Sequence, residues 1–165
     1  MPVSANHGIL LAPGEGATIE NPVVRRLTFK LRGEQTKGAL TVFESVAAPG
    51  EGPPLHLHVN QDEVLYVLEG RFRVQLDTEI EDAPTGTLVF FPRGVAHTWK
   101  NGGDAPARFL AIMTPAGLEQ FFDRFAEVAD DADTHEAFRT LGREVGMEVV
   151  GPPLAESELS GHAAR

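Results

Sequence analysis

The chain has 165 residues, a formal net charge of −10 and no cysteine. Its length suits one domain with a proper core. The acidic balance argues against a nucleic-acid partner and against an anionic membrane surface. Without cysteine there are no disulfides, thiolate ligands or cysteine nucleophiles; a metal here must be held by His, Asp or Glu.

At the N-terminus, "MPVSANHGILLAPGEGATIE" has no basic segment followed by an apolar run, so it does not read as a signal peptide. No apolar run approaches the roughly 20 residues of a membrane span. A cytoplasmic location is the expectation.

Residues 7–113 then read as short strands between Gly/Pro turns. "VVRRLTFKL" (23–31), "GALTVFESV" (38–46), "EVLYVLEG" (63–70), "RFRVQL" (71–76), "TLVFFP" (87–92) and "ARFLAIM" (107–113) are rich in β-branched and aromatic residues. Strands at this spacing predict an all-β sandwich or barrel. In 63–68 both faces are apolar apart from Glu63, which predicts cover on both sides.

After Met113 the pattern changes. In "TPAGLEQFFDRFAEVA", Thr114 is a candidate N-cap and Pro115 a candidate first helical residue. Leu118, Phe121, Phe122, Phe125 and Val128 recur at helical spacing, as expected of a helix laid over the barrel. "DADT" interrupts it. A second helix over about 134–145 carries Phe138, Leu141 and Val145 and stops at Gly146. The expected organisation is a barrel over 1–113, a helical extension over 114–146, and a short extended segment with a flexible tail over 147–165.

The stretch "HLHVNQDE" (56–63) carries the chemistry. On a strand, side chains two residues apart share a face, about 6.6 Å apart along the chain. His56 and His58 therefore project together and can converge on one ion about 2.1 Å from each nitrogen. Glu63 heads the next strand, and His97 in "FPRGVAHTWKN" begins another. His56, His58 and His97 could instead be hydrogen-bonded structural residues, and Glu63 a partner or base that does not touch the metal. His7, His135 and His162 have no ligand spacing and are expected to be exposed. Gly70 and Gly94 read as turn residues with positive φ, and Asn101 as a turn former.

These residues resemble the cupin family. One motif runs Gly50, five residues, His56, one, His58, four, Glu63, six, Gly70. The other runs Gly86, five, Pro92, one, Gly94, two, His97, three, Asn101, with 15 residues between the motifs. The resemblance implies a double-stranded β-helix, a jelly-roll barrel, with C-terminal helices. It implies that His56, His58, Glu63 and His97 hold one divalent transition metal (Fe, Mn, Ni, Co, Zn or Cu) inside the barrel. Four inward polar groups in an apolar barrel are costly unless something pairs them. By strand parity, Leu65, Val67 and Trp99 are expected on the pocket wall, with Phe43, Met113 and Thr41 as weaker candidates.

Within cupins, "YVLEG", "FPRGVAHTWKN" and the "PAGLEQFF" helix look most like small bacterial flavonol dioxygenases of the quercetinase type. That resemblance implies an oxidoreductase using O2 on a small apolar or aromatic enol or phenol, with Glu63 as catalytic base. Two other readings stand beside it. One is a metal-dependent isomerase or lyase of a small acid or sugar, which needs basic side chains around the ion; Arg71 and Arg73 lie in the barrel region, and their parity leaves their facing open. The other is a binding module without turnover. Cupins commonly dimerise through their sheets, and the doubly apolar strand fits a homodimer.

Overall fold

Alternation decides the strands. In Thr41–Ala47 every second residue, from Thr41 through Phe43 and Ser45 to Ala47, is buried. In Ala107–Thr114 the inward set is Ala107, Phe109, Ala111 and Met113. In Arg71–Leu76 it is Phe72 and Val74. A period of two with one face buried is the strand pattern.

The computed structural model describes residues 8–21, 25–128 and 133–163. Its strands are β1 (Ala17–Asn21), β2 (Arg25–Leu31), β3 (Thr41–Ala47), β4 (Pro54–His58), β5 (Asp62–Glu69), β6 (Arg71–Leu76), β7 (Glu79–Pro84), β8 (Leu88–Phe91), β9 (His97–Asn101), β10 (Ala107–Thr114) and β11 (Met147–Pro153). The helices are α1 (Glu119–Phe125), α2 (Thr134–Glu144) and α3 (Leu154–Ala163). Sheet A runs β1-β2-β3-β10-β5-β8 and sheet B runs β11-β4-β9-β6-β7. Both are antiparallel: the spacing of strands and turns predicts an all-β sandwich or barrel, and the resemblance implies the double-stranded β-helix that is found. The first part of the strand expected at 23–31 falls on residues outside those described, as does much of "DADT". No helix among the described residues is long and apolar enough to cross a membrane.

The core lies between the sheets. Phe29, Phe72, Phe91, Leu65, Val67 and Met113 are buried there, each worth about 1.5–3 kcal/mol in transfer terms. Phe72, Phe109 and Trp99 meet edge to face.

Two turns need glycine. Gly70 joins β5 to β6 at φ 86°, and a Cβ there would stand 2.7 Å from that of Ala107. Gly94, at φ 78°, donates its amide to the His58 carbonyl (2.8 Å).

Three expectations are corrected. The first helix does not begin at Thr114 and Pro115. Thr114 stays in the β10 ladder opposite Asp62 and donates its hydroxyl to the Ala39 carbonyl. The helix starts at Glu119, whose buried carboxylate accepts from the Gly33 amide (2.9 Å), the Gly117 amide (2.9 Å) and the Thr41 hydroxyl (2.5 Å). These bonds hold the carboxyl below its ordinary range although burial pushes the other way.

Second, the barrel does not end at Met113. β11 pairs with β4, Met147 opposite His58 and Val149 opposite His56. Third, most of the expected tail is α3. Leu154 is buried, and Glu158 pairs with Lys100 and Arg73 on the outer face of sheet B. The second helix is as expected: Asp133 caps it through the His135 and Glu136 amides, and Gly146 follows it at φ 77°.

Within one chain, β5 is covered on one face. Its inner face is buried, while Tyr66 on the outer face is exposed.

Candidate metal centre

Two sheets contribute to one cluster. β4 of sheet B projects His56 and His58 inward, and its neighbour β9 places His97 opposite His56. β5 of sheet A presents Glu63, in register with Met113 on β10 and Phe91 on β8. All four side chains are buried, and one ligand atom from each lies within 4.8 Å of the others.

The chain positions each ring locally. His56 Nδ1 lies 2.7 Å from the Pro54 carbonyl, and His97 Nδ1 lies 2.9 Å from the Val95 carbonyl. A carbonyl only accepts, so both Nδ1 atoms carry the proton and Nε2 keeps its lone pair. Phe91 stacks on His97 at 4.2 Å and 17°. Beside the cluster, Arg93 grips Asp62 through Nε and Nη2 (3.0 and 2.8 Å), tying the start of β5 to the loop before His97.

The donor set fits a cation. His97 Nε2 stands 3.2 Å from Glu63 Oε2. In neutral His97, whose proton is on Nδ1, this sets a lone pair against a carboxylate oxygen. A shared cation resolves that opposition; so does a second proton on the ring. His58 Nε2 is 3.0 Å from the same oxygen, and His58 Nδ1 is buried without a partner. A buried orphan of this kind calls for an explanation.

Electrostatics point the same way. Burial, then the neighbouring His97 and His58, push His56 down to about 3. Burial raises the Glu63 carboxyl, but the influence of the neighbouring His58 and His97 rings outweighs it and holds Glu63 below the usual carboxylate range. Neutral imidazole and ionised carboxylate are the forms that bind metal.

Residues 43–113 match the cupin domain family. The four residues in keeping with the metal sites of cupins are the four the barrel gathers, and they could hold one metal ion.

Protein SchB of Streptomyces halstedii is 37% identical over 82 residues, covering 48% of this chain and 59% of SchB. Polyketide synthase CurC of Streptomyces cyaneus is 34% identical over 82 residues, covering 48% of this chain and 53% of CurC. The chain thus matches little more than half the length of these relatives. An RmlC-like cupin from Shewanella frigidimarina superposes with a TM-score of 0.58 at 18% identity, covering 68% of this chain and 96% of that one. At that identity the likeness is one of fold.

A cavity of about 490 Å³ opens onto the four-residue cluster through His56, His58 and Glu63. Of the residues expected on its wall, Phe43 and Trp99 line it. Leu65, Val67 and Met113 do not. They are fully buried in the core, because the face they share with Glu63 is filled by packing. Thr41 is committed to Glu119. Arg71 and Arg73 do not face the cavity. Arg71 bonds the Gly102 carbonyl, and Arg73 pairs with Glu158 outside sheet B.

Sequence spacing missed several lining residues. Phe109, Phe121, Phe122 and Phe138 complete an aromatic wall, and His135 stands exposed at its edge. Phe121 and Phe122 belonged to the helical stripe, and that stripe was the available signal. His135 had none. His7 and the side chain of His162 lie outside the described residues. Asn101 is a turn organiser: its amide donates to the Ala47 and Ala105 carbonyls, and its oxygen accepts from Gly103.

Proposed function

We propose that this cupin is a metal-dependent dioxygenase acting on a small aromatic or otherwise apolar enol or phenol, in the manner of a quercetinase. One observation carries the reading. The cavity over the cluster is walled by Phe43, Trp99, Phe109, Phe121, Phe122 and Phe138, and among the described residues no lysine or arginine lines it. A volume of about 490 Å³ is in the range of small-molecule sites. A small organic acid or sugar phosphate would want a basic partner, so the isomerase and lyase reading is disfavoured. CurC, a relative by sequence, is named a polyketide synthase. Polyketide chains are rich in enolisable carbonyls, which is consistent with the same oxygen chemistry.

His56, His58, His97 and Glu63 would hold a divalent ion, which would supply Lewis acidity toward an enol or phenol oxygen. The protein's own groups do the rest. Glu63, the one carboxylate of the cluster, takes the substrate's proton. The aromatic wall orients the ring and excludes water. The Nδ1 bonds to Pro54 and Val95 keep His56 and His97 from turning.

The test is oxygen uptake with a panel of flavonols and other enols, after separate loading with Fe(II), Mn(II), Co(II) and Ni(II). Uptake stoichiometric with substrate loss is expected. Silence across the panel would overturn the dioxygenase reading and favour a binding module.

A homodimer is part of the proposal. Tyr66 and Leu88 pair across β5 and β8, and Val64 pairs with Phe90. Tyr66, Leu88 and Phe90 are exposed on the outer face of sheet A. Light scattering after size exclusion should give twice the chain mass; monomer alone would refute it.

A further inference from the structure

We infer that His135 is a specificity-determining residue, recognising a polar group at the end of the ligand farthest from the cluster. The inference rests on the aromatic-ligand reading above. It is carried by the placement of two residues on α2.

His135 and Phe138 are three apart on one helix, so they share a face. Both line the cavity. Phe138 sits at its inner end: its ring meets that of His56 edge to face at 6.4 Å, and that of Phe121 at 4.9 Å. His135 lies about 4.5 Å further along the axis toward the helix N-terminus, and it is exposed where Phe138 is half-buried. The face therefore leads from a member of the cluster to solvent. A flat ligand whose oxygen is held at the cluster lies along Phe138 and brings its far end to the imidazole.

The other polar side chains of the cavity are less free to serve. The Ser45 hydroxyl donates to the Arg26 carbonyl (3.1 Å), and the Glu51 carboxylate accepts from the Ala48 amide (2.6 Å). Glu156 has partners within the protein. The His135 backbone amide is taken by the Asp133 cap, which fixes the first turn of α2 and hence the ring's position. An imidazole both donates and accepts, so it suits a hydroxyl.

Trp99 is the chain's one tryptophan and lines the cavity, so its fluorescence reports occupancy without turnover. The experiment titrates two probes into purified protein under nitrogen: unsubstituted flavonol, and flavonol with one para-hydroxyl on its pendant ring. Wild type should bind the hydroxylated probe about tenfold more tightly, the equivalent of one good hydrogen bond. His135→Ala should erase that preference, bind the plain probe within about twofold of wild type, and keep the same metal content by elemental analysis. His135→Gln should restore part of the preference. A preference that survives His135→Ala, or that is lost instead in Thr134→Ala or Glu156→Gln, would overturn this assignment alone. Failure of both probes to change Trp99 fluorescence in wild type would overturn the aromatic-ligand reading, and this assignment with it.

Discussion

Arg93 holds Asp62 through two side-chain hydrogen bonds and a third from its backbone amide. Asp62 is the neighbour of Glu63, and Arg93 lies four residues before His97. The pair therefore fixes the spacing between the one ligand from sheet A and the loop that delivers the last ligand from sheet B. It holds the Asp62 carboxyl down to about 2, chiefly through the Arg93 side-chain hydrogen bonds. Because the pair is exposed, its removal should not unfold the protein. Arg93→Ala is expected to weaken metal binding about tenfold, at the lower end of what outer partners of a metal site contribute. Competition against a chelator checks this; unchanged affinity would mean that the β5 start is held without it.

The cluster itself makes a stronger prediction. Purified protein should carry about one transition ion per chain. His58→Ala should lose most of it, with an affinity drop beyond about 100-fold, since that range already describes the loss of mere outer partners. The measurement is elemental analysis before and after dialysis against chelator. A wild-type protein that is metal-free and cannot be reloaded would sink the site.

Acid should destabilise the metal-free protein, and the sign follows from two groups. His56 is depressed to about 3 in the fold, against an ordinary value of 6.5. Between these values the unfolded chain binds a proton that the folded chain does not, so stability falls as pH falls through the window. Glu63 is also depressed from 4.5, so its contribution is present above that value and is lost as pH drops toward its folded value. Both act in one direction. A group with a full proton difference gives a slope of about 1.4 kcal/mol per pH unit. Denaturant unfolding of metal-free protein at a series of pH values between 3 and 7 should show stability rising with pH; a flat profile would contradict the protonation states assigned here.

Glu119 anchors the Phe-bearing helix to the barrel by three accepted hydrogen bonds. Glu119→Ala leaves two amides and a hydroxyl without that partner. The expected loss is about 2–3 kcal/mol, read as a shift in the denaturation midpoint. The metal content should stay at the wild-type level, because none of the four ligands is on α1.

Much of the fold was legible from period and punctuation. β6 is found over the residues expected, 71–76, because Phe72 and Val74 alternate with polar neighbours between clear turns. β1 and β7 were not legible. Both are edge strands, and in β7 only Ala83 is buried, so neither carries an apolar stripe and each is held by its ladder. The tail misled for a related reason. "PPLAESELS" is polar, and α3 is held by buried Leu154 and by Glu158, whose basic partners lie 58 and 85 residues away.

The sequence by itself determined the four metal-binding candidates, because strand parity and the family's gaps are local properties of the chain. It also determined that no thiolate or disulfide chemistry is open to it. Only the tertiary structure decided which apolar residues face the cavity and which face the core. Leu65 and Val67 have the parity of Glu63, yet packing from the opposite sheet closes over them, while Phe109 and Phe138 reach the cavity from elements far away in the chain. Parity names a face. What covers that face depends on contacts between residues distant in sequence, and those exist only once the barrel has closed.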